Sequence, residues 1–291
     1  MSAINQALSA RRVLLFVPAV RPDRFTKALA TGADAVCIDL EDGVGFGAKD
    51  EARREAMKLL VDRKPTSAEV MLRINDPNTE LGQIDLEALR VADARPDALI
   101  LPKVSAAGDV RQVEAALSGV FSDLPLVVMI ESARGLASAE AIAAATPNVV
   151  AVFFGAIDFS ADVGCAVDWD ALLYARSRVV LAAALAGVST FDSPFMDVPA
   201  LDVLADECRR ARRLGFAGKA AIHPSQVGPI QGAFSPGDEE VSWARKIVAA
   251  YEENEGGVLL VDGQLIERPV ISAAQRTLAL AGRDNRPGRG N

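Results

Sequence analysis

Eight short apolar runs rich in β-branched residues recur along this chain. They constrain its fold more than any other feature. They are Val13–Pro18, Ala35–Leu40, Glu69–Asn75, Ala98–Lys103, Leu126–Glu131, Val149–Gly155, Val188–Asp192 and Lys219–Pro224. Most are continuously apolar rather than alternating, as strands covered on both faces are. Helical patterns fill the intervals. Leu201, Leu204, Cys208, Ala211 and Leu214 follow three- and four-residue steps, with Arg209, Arg210, Arg212 and Arg213 on the wet side. Phe25, Ala28 and Leu29 mark an earlier helix, and Asp50 to Leu60 another. Gly32, Gly187 and Gly215 stand where a helix end takes a left-handed residue. Strand, helix, glycine, strand predicts an α/β fold, a (β/α)8 TIM barrel over residues 11–225. An open doubly wound sheet is the alternative.

After His223 the pattern changes. Gln226–Pro236 reads as a loop and Asp238–Tyr251 as a helix. Val258–Val261 followed by Asp262-Gly263 suggests a hairpin, and Ser272–Ala281 a last helix. Residues 226–283 are therefore expected to extend the barrel. Residues 1–10 read as an N-terminal extension and 284–291 as a disordered tail.

Composition narrows the function. The formal net charge of −8 disfavours a general nucleic-acid binder, which carries a basic field. Three widely spaced cysteines, Cys37, Cys165 and Cys208, argue against a disulfide framework and for a reducing, cytoplasmic setting. There is no Cys-x-x-Cys pair, and His223 is the single histidine, so a zinc site is not expected. Val13 to Val20 is too short to span a bilayer. Met1–Ala10 lacks a basic start followed by an apolar stretch, so no signal peptide is expected.

In a barrel of this kind the active site lies at the C-terminal strand ends. Those ends carry Asp39, Glu41 and Asp42, then Arg73 and Asn75, Lys103, Glu131, Asp158, Asp192 and His223. Carboxylates outnumber cations there, and such a cluster is costly without a positive charge inside it. Oxygen ligands without sulfur favour Mg²⁺, with Mn²⁺ the other fit. Glu131 leaves an apolar strand with Arg134 as its only nearby cation in sequence. It can converge with Asp158 of the next strand on one ion. A single acidic residue after a strand is as well explained as a helix cap. The cluster as a whole is not. Gly43 to Ala48 fits a dinucleotide fingerprint, but three carboxylates stand just before it and would repel a pyrophosphate. These glycines read as a flexible rim loop. His223 reads as a satisfied strand-end histidine.

Several segments, in order, carry a resemblance. They are Leu15-Phe16-Val17-Pro18, Gly32-Ala33-Asp34-Ala35, Ile38-Asp39-Leu40-Glu41-Asp42, Arg73-Ile74-Asn75, Leu101-Pro102-Lys103, Ile130-Glu131-Ser132-Ala133-Arg134-Gly135, Phe154-Gly155-Ala156-Ile157-Asp158 and Lys219-Ala220-Ala221-Ile222-His223-Pro224-Ser225-Gln226. Together they resemble the citrate lyase β-subunit-like family of the HpcH/HpaI aldolase superfamily, which includes malyl-CoA and citramalyl-CoA lyases. The resemblance runs from about Arg11 to Ala281. It implies a Mg²⁺-dependent carbon–carbon lyase that cleaves a 3-hydroxyacyl-CoA to acetyl-CoA and a 2-oxo acid by retro-Claisen chemistry.

By the same resemblance, Glu131 and Asp158 hold the metal and Arg73 holds substrate oxygens. The backbone at Gly155 and Ala156 holds the 2-oxo acid carboxylate, with Phe16 and Pro18 in the substrate pocket. Asp39 and Glu41 orient Arg73 or water at the metal. Glu267, in Leu265-Ile266-Glu267-Arg268-Pro269, stands where the family's C-terminal lid carries its acid, usually Asp. The lid serves a neighbouring subunit, which implies a homotrimer or a multiple of three. The other readings are a CoA-independent metal aldolase on 2-oxo acids, a malyl-CoA-type thioesterase, and a non-catalytic subunit that binds an acyl carrier.

Overall fold

The computed structural model describes residues 11–253 and 259–284. The extension expected at 1–10 lies outside them. So does the tail expected at 284–291, apart from Asp284, which closes the last helix.

Eight parallel strands close into a barrel in chain order. They are β1 (Val13–Pro18), β2 (Ala35–Asp39), β3 (Glu69–Arg73), β4 (Ala98–Leu101), β5 (Leu126–Ile130), β6 (Val149–Phe154), β7 (Ser189–Asp192) and β8 (Gly218–Ala221). β8 pairs back onto β1, with Leu15 opposite Ala221. The helices between them are α1 (Pro22–Leu29), α2 (Lys49–Val61), α3 (Glu80–Val91), α4 (Ala107–Leu117), α5 (Ala133–Ala137), α6 (Ala139–Ala143), α7 (Ala156–Val163), α8 (Trp169–Ala186) and α9 (Leu201–Leu214). This is the (β/α)8 barrel, not the open sheet.

The strands are buried on both faces, which is why their sequences do not alternate. Leu14, Cys37, Met71, Ile100, Met129, Phe153 and Phe191 are among the side chains that pack as one cluster in the barrel interior. Gly187 and Gly215 end α8 and α9 with φ of 70° and 117°, a conformation that costs a β-carbon-bearing residue roughly 1–2 kcal/mol.

Several observed strands stop short of the apolar runs. β3 ends at Arg73, β4 at Leu101 and β8 at Ala221, so Asn75, Lys103 and His223 stand on the rim beyond the ladder. The expected loop at Gln226–Pro236 is instead a 3₁₀ turn (Pro224–Gln226) followed by α10 (Val227–Phe234). The buried Gln226 pins this turn. Its amide donates to the Phe195 carbonyl at 2.7 Å and its oxygen accepts from Ile222 N at 2.9 Å. Pro229 sits in the first turn of α10, where a missing N–H costs nothing.

The chain divides into two compact units at Gln231/Gly232, within α10. The second unit holds α11 (Asp238–Glu252), the antiparallel hairpin β9 (Leu259–Val261) and β10 (Gln264–Ile266), and α12 (Arg268–Asp284). Ala244, Ile247, Val261, Ile266, Ile271 and Ala274 form its core. Asp262 and Gly263 both have positive φ, 51° and 77°, as a two-residue hairpin turn requires. Val258, the first residue of the expected hairpin, lies outside the described residues. Among the described residues no helix is long and apolar enough to cross a membrane.

Candidate active site

Strand parity builds the site. Alternate residues of a strand face the same way. Cys37 and Met71 lie in the barrel interior, so Asp39 and Arg73 project inward at the ends of β2 and β3. Glu131 follows Val127 and Met129, Phe16 follows Leu14, and Gly155 follows Ala151 and Phe153 in the same parity. Phe16, Pro18, Asp39, Arg73, Glu131, Gly155, Ala156 and Asp158 all line one cavity of about 520 Å³.

The register of β2 and β3 sets Asp39 beside Arg73. Arg73 Nε and Nη2 donate to Asp39 Oδ1 and Oδ2, each at 2.7 Å. Arg73 Nη1 stands 2.9 Å from Glu41 Oε2, and the guanidinium lies 4.8 Å over the Phe16 ring. Burial works against the Arg73 charge, but Asp39 and Glu41 outweigh it and hold the group protonated. Asp39 also accepts the amides of Glu41 and Gly43, at 3.0 and 2.9 Å.

Glu41, Glu131 and Asp158 each bring a carboxylate oxygen to within 4.8 Å of the other two. Glu41 Oε2 is buried without a well-aligned hydrogen bond, despite the nearby Arg73 Nη1. Glu131 is pushed up to about 8, first by burial and then by the Glu41 charge. Burial also raises Glu41, against the pull of Arg73. Three oxygen donors with excess negative charge fit a hard divalent cation such as Mg²⁺. The cluster therefore includes Glu41 alongside the two residues singled out as ligands.

Lys103 occupies the edge of this cluster. Its amide donates to Glu131 Oε1 at 2.5 Å, and its ammonium donates to Glu41 Oε1 at 2.6 Å. The same ammonium lies 3.6 Å from Asp158 Oδ2. Burial lowers the Lys103 pKa, but the Glu41 contact more than offsets it. Arg73 and the Lys103 amide, not Arg134, favour the Glu131 charge. Arg134 is exposed.

The first turn of α7 begins at the end of β6. Gly155 N donates to Ile130 O, and Ala156 N donates to Ser193 Oγ at 2.6 Å. These two amides, expected to hold a carboxylate, are thus engaged within the protein. Among the described residues no acceptor takes the next amides, those of Ile157 and Asp158. A helix start with free amides attracts an anion.

The remaining expected residues are placed as follows. Glu267 belongs to the second unit, exposed just before α12, and its carbonyl accepts from Val270 N at 2.9 Å. His223 is exposed and turns its Nδ1 to Ser225. Its satisfied role stands. In the Gly43–Ala48 segment, Gly43 N donates to Asp39 Oδ2 at 2.9 Å, and Phe46–Ala48 forms a 3₁₀ turn into α2. Sequence reasoning passed over Lys49, whose ammonium donates at 2.7 Å to the carbonyls of Leu40 and Glu41 and to Asn75 Oδ1. Its place in the first turn of α2 carries no sequence signal for these contacts.

Fold and site define a class: a (β/α)8 protein whose strand ends join a fixed arginine to an acidic cluster able to hold a hard cation. The chain belongs to the HpcH/HpaI aldolase/citrate lyase family, which it matches over residues 12–224. It is 32% identical to the mitochondrial citramalyl-CoA lyase of Mus musculus, covering 96% of this chain and 88% of that one. It is 35% identical to the (3S)-malyl-CoA thioesterase of Cereibacter sphaeroides, covering 93% and 94%. The crystal structure of CitE from Mycobacterium tuberculosis, in complex with magnesium, acetoacetate and coenzyme A, superposes with a TM-score of 0.80. Its identity is 34%, over 94% of this chain and 98% of that one.

Proposed function

We propose that the protein is a Mg²⁺-dependent carbon–carbon lyase that cleaves a 3-hydroxyacyl-CoA of citramalyl-CoA or malyl-CoA type to acetyl-CoA and a 2-oxo acid. The carrying observation is the convergence of Glu41, Glu131 and Asp158 beside the fixed Arg73, with Glu131, Asp158 and Arg73 lining one cavity. The magnesium- and CoA-bound CitE structure and the citramalyl-CoA lyase relative support the reading.

Glu131 and Asp158, with Glu41 beside them, would hold Mg²⁺. When bound, the ion supplies Lewis-acid stabilisation of the alkoxide and carboxylate oxygens of the forming 2-oxo acid. The chain's own residues do the rest. The free amides of Ile157 and Asp158 receive the substrate carboxylate. Arg73, oriented by Asp39, donates to the thioester oxygen. Glu267, from the lid of a neighbouring copy, takes the substrate hydroxyl proton, the carbon–carbon bond breaks, and its electron pair passes into the acetyl thioester enolate. Arg73 stabilises that oxygen charge in a site that needs no reorganisation. Glu267 then returns that proton to the enolate carbon. Arg24, exposed at the cavity mouth, receives a CoA phosphate, whereas Arg21 is committed to Asp23.

The protein acts as a homo-oligomer, a trimer or a multiple of three, in the cytoplasm. α8 supports assembly: Leu173, Tyr174, Leu181 and Leu185 leave it apolar on its outward side as well. The three free cysteines suit a reducing compartment. Sedimentation or light scattering tests the oligomer.

The test of function is acetyl-CoA release from citramalyl-CoA and malyl-CoA, in Mg²⁺ and in excess EDTA, with free CoA followed in parallel. The expected result is Mg²⁺-dependent acetyl-CoA, lost in Glu131→Gln and strongly reduced in Glu267→Ala. Free CoA without acetyl-CoA would replace the lyase reading with the thioesterase one, which the Cereibacter sphaeroides relative favours. Silence on both thioesters would overturn both.

A further inference from the structure

The cavity has two unlike halves. Charge comes from the ends of β2, β3 and β5 and the start of α7, where Asp39, Asp42, Arg73, Glu131 and Asp158 line it, with Glu41 and Lys103 packed against them. The floor is aromatic: Phe16 and Phe153 meet edge to face at 6.0 Å. The remaining rim, after β6, β7 and β8, presents Ile157, Met196 and Ile222, which are 40, 57 and 36% exposed. These strands are neighbours in the barrel, and all three side chains line the same cavity. Large apolar side chains exposed together at a cavity mouth favour a ligand that covers them with apolar surface.

The substrate class of the proposed function presents four groups on its carbinol carbon. The hydroxyl and carboxylate carry oxygen and are drawn to the charged half and the free α7 amides. The third group is the CH₂ leading to the thioester, whose oxygen faces Arg73. The fourth is either hydrogen or an alkyl group. It is the group with no polar partner, and the wall facing the charges is apolar.

We propose that this wall selects thioesters whose carbinol carbon carries an alkyl group rather than hydrogen, with Ile157 as the specificity-determining residue. Ile157 follows the Ala156 turn, precedes Asp158, and lines both this cavity and an adjoining one of about 170 Å³ together with Met196 and Pro194. Its side chain therefore stands where the carboxylate-binding turn meets the apolar rim. The product is then a 2-oxo acid with a carbon chain beyond its ketone, not an aldehyde acid. This inference rests on the proposed lyase reading.

The experiment compares kcat/KM for citramalyl-CoA and malyl-CoA with Mg²⁺. It also compares calorimetric binding of pyruvate and glyoxylate to the Mg²⁺-loaded protein. One methyl group in an apolar pocket discriminates by about 10–200-fold, so a preference of at least about 10-fold for the alkyl member is expected in both arms. Ile157→Ser should reduce the ratio in both arms, and Met196→Ser should reduce it independently should the first variant fold poorly. Cleavage of both thioesters at equal efficiency, or a preference for malyl-CoA and glyoxylate, overturns this inference and leaves the lyase reading standing. Cleavage of neither thioester overturns both.

Discussion

Asp39 grips Arg73 by two parallel hydrogen bonds of 2.7 Å, and the strand register that pairs these two residues makes the grip possible. Both groups are buried, and the fork fixes the guanidinium plane as well as its charge. Asp39→Asn keeps the shape but puts an N–H₂ where the guanidinium needs an acceptor. Breaking a buried pair of this kind costs about 3–5 kcal/mol, to be read from urea unfolding. A catalytic group displaced by about 1 Å can lose roughly 10²-fold, so kcat/KM should fall by about that factor. Wild-type turnover in this variant would show that Arg73 needs no such positioning.

Glu131 gives a pH dependence with a definite sign. Its folded value of about 8 lies above its ordinary 4.5, chiefly through burial. Glu41 is shifted in the same direction. The folded state therefore holds the Glu131 proton more tightly than the unfolded chain does. That stabilisation is fully present below pH 4.5 and is lost as pH rises through 8. In EDTA, the melting temperature of the wild type relative to Glu131→Gln should decline steadily between those limits. Mg²⁺ binds the ionised carboxylates, so its apparent affinity should climb over the same interval. A relative melting temperature that rises with pH in EDTA would contradict the assignment.

The barrel was legible because strand runs and glycine-ended helices repeat along the chain. Lys219 shows where legibility ends. It is a fully buried lysine in a strand, paired with Asp192 at 2.7 Å and Glu207 at 2.6 Å, partners 27 and 12 residues away. Nothing near it in sequence announces them. The rim carboxylates could be read from their places after strands. Their grouping could not, because strands buried on both faces carry no alternation to mark the inward side. Asp39 and Glu131 are inward by parity, whereas Lys103 reaches the cluster by an irregular backbone that no periodicity predicts. The helix at Val227–Phe234 was hidden by Gly228, Pro229 and Gly232, residues that normally signal a loop.

Gly155 is required by closeness. A β-carbon there would stand 2.5 Å from Glu131 Oε2 and 2.6 Å from the Glu131 β-carbon, nearer than real contacts allow. Its φ of −95° is open to any residue, so the constraint is space and not backbone freedom. Gly155→Ala should fold and push the Glu131 carboxylate aside. Mg²⁺ affinity by calorimetry should fall about 10-fold or more, the scale on which disturbed metal-ligand support acts. Undiminished Mg²⁺ binding would remove Glu131 from the cation site.

Lys103 holds the acidic cluster by two separate means. Its φ of +54° is rare for a lysine and costs roughly 1–2 kcal/mol. That turn aims its amide at Glu131 while its ammonium reaches Glu41. Lys103→Met keeps the amide and removes the charge. Without the ammonium, the charges of Glu41 and Asp158, joined by Glu131 above about pH 8, repel one another, opposed chiefly by Arg73. The cation-free variant should therefore melt below the wild type. Its Mg²⁺ affinity should rise, by about 10-fold, because one competing positive charge has left the cluster. The stabilisation gained on adding Mg²⁺ should be larger than in the wild type, by thermal melts with and without EDTA. Weaker Mg²⁺ binding in Lys103→Met would instead mean that the ammonium orders Glu41 for the cation, and that the two positive charges cooperate rather than compete.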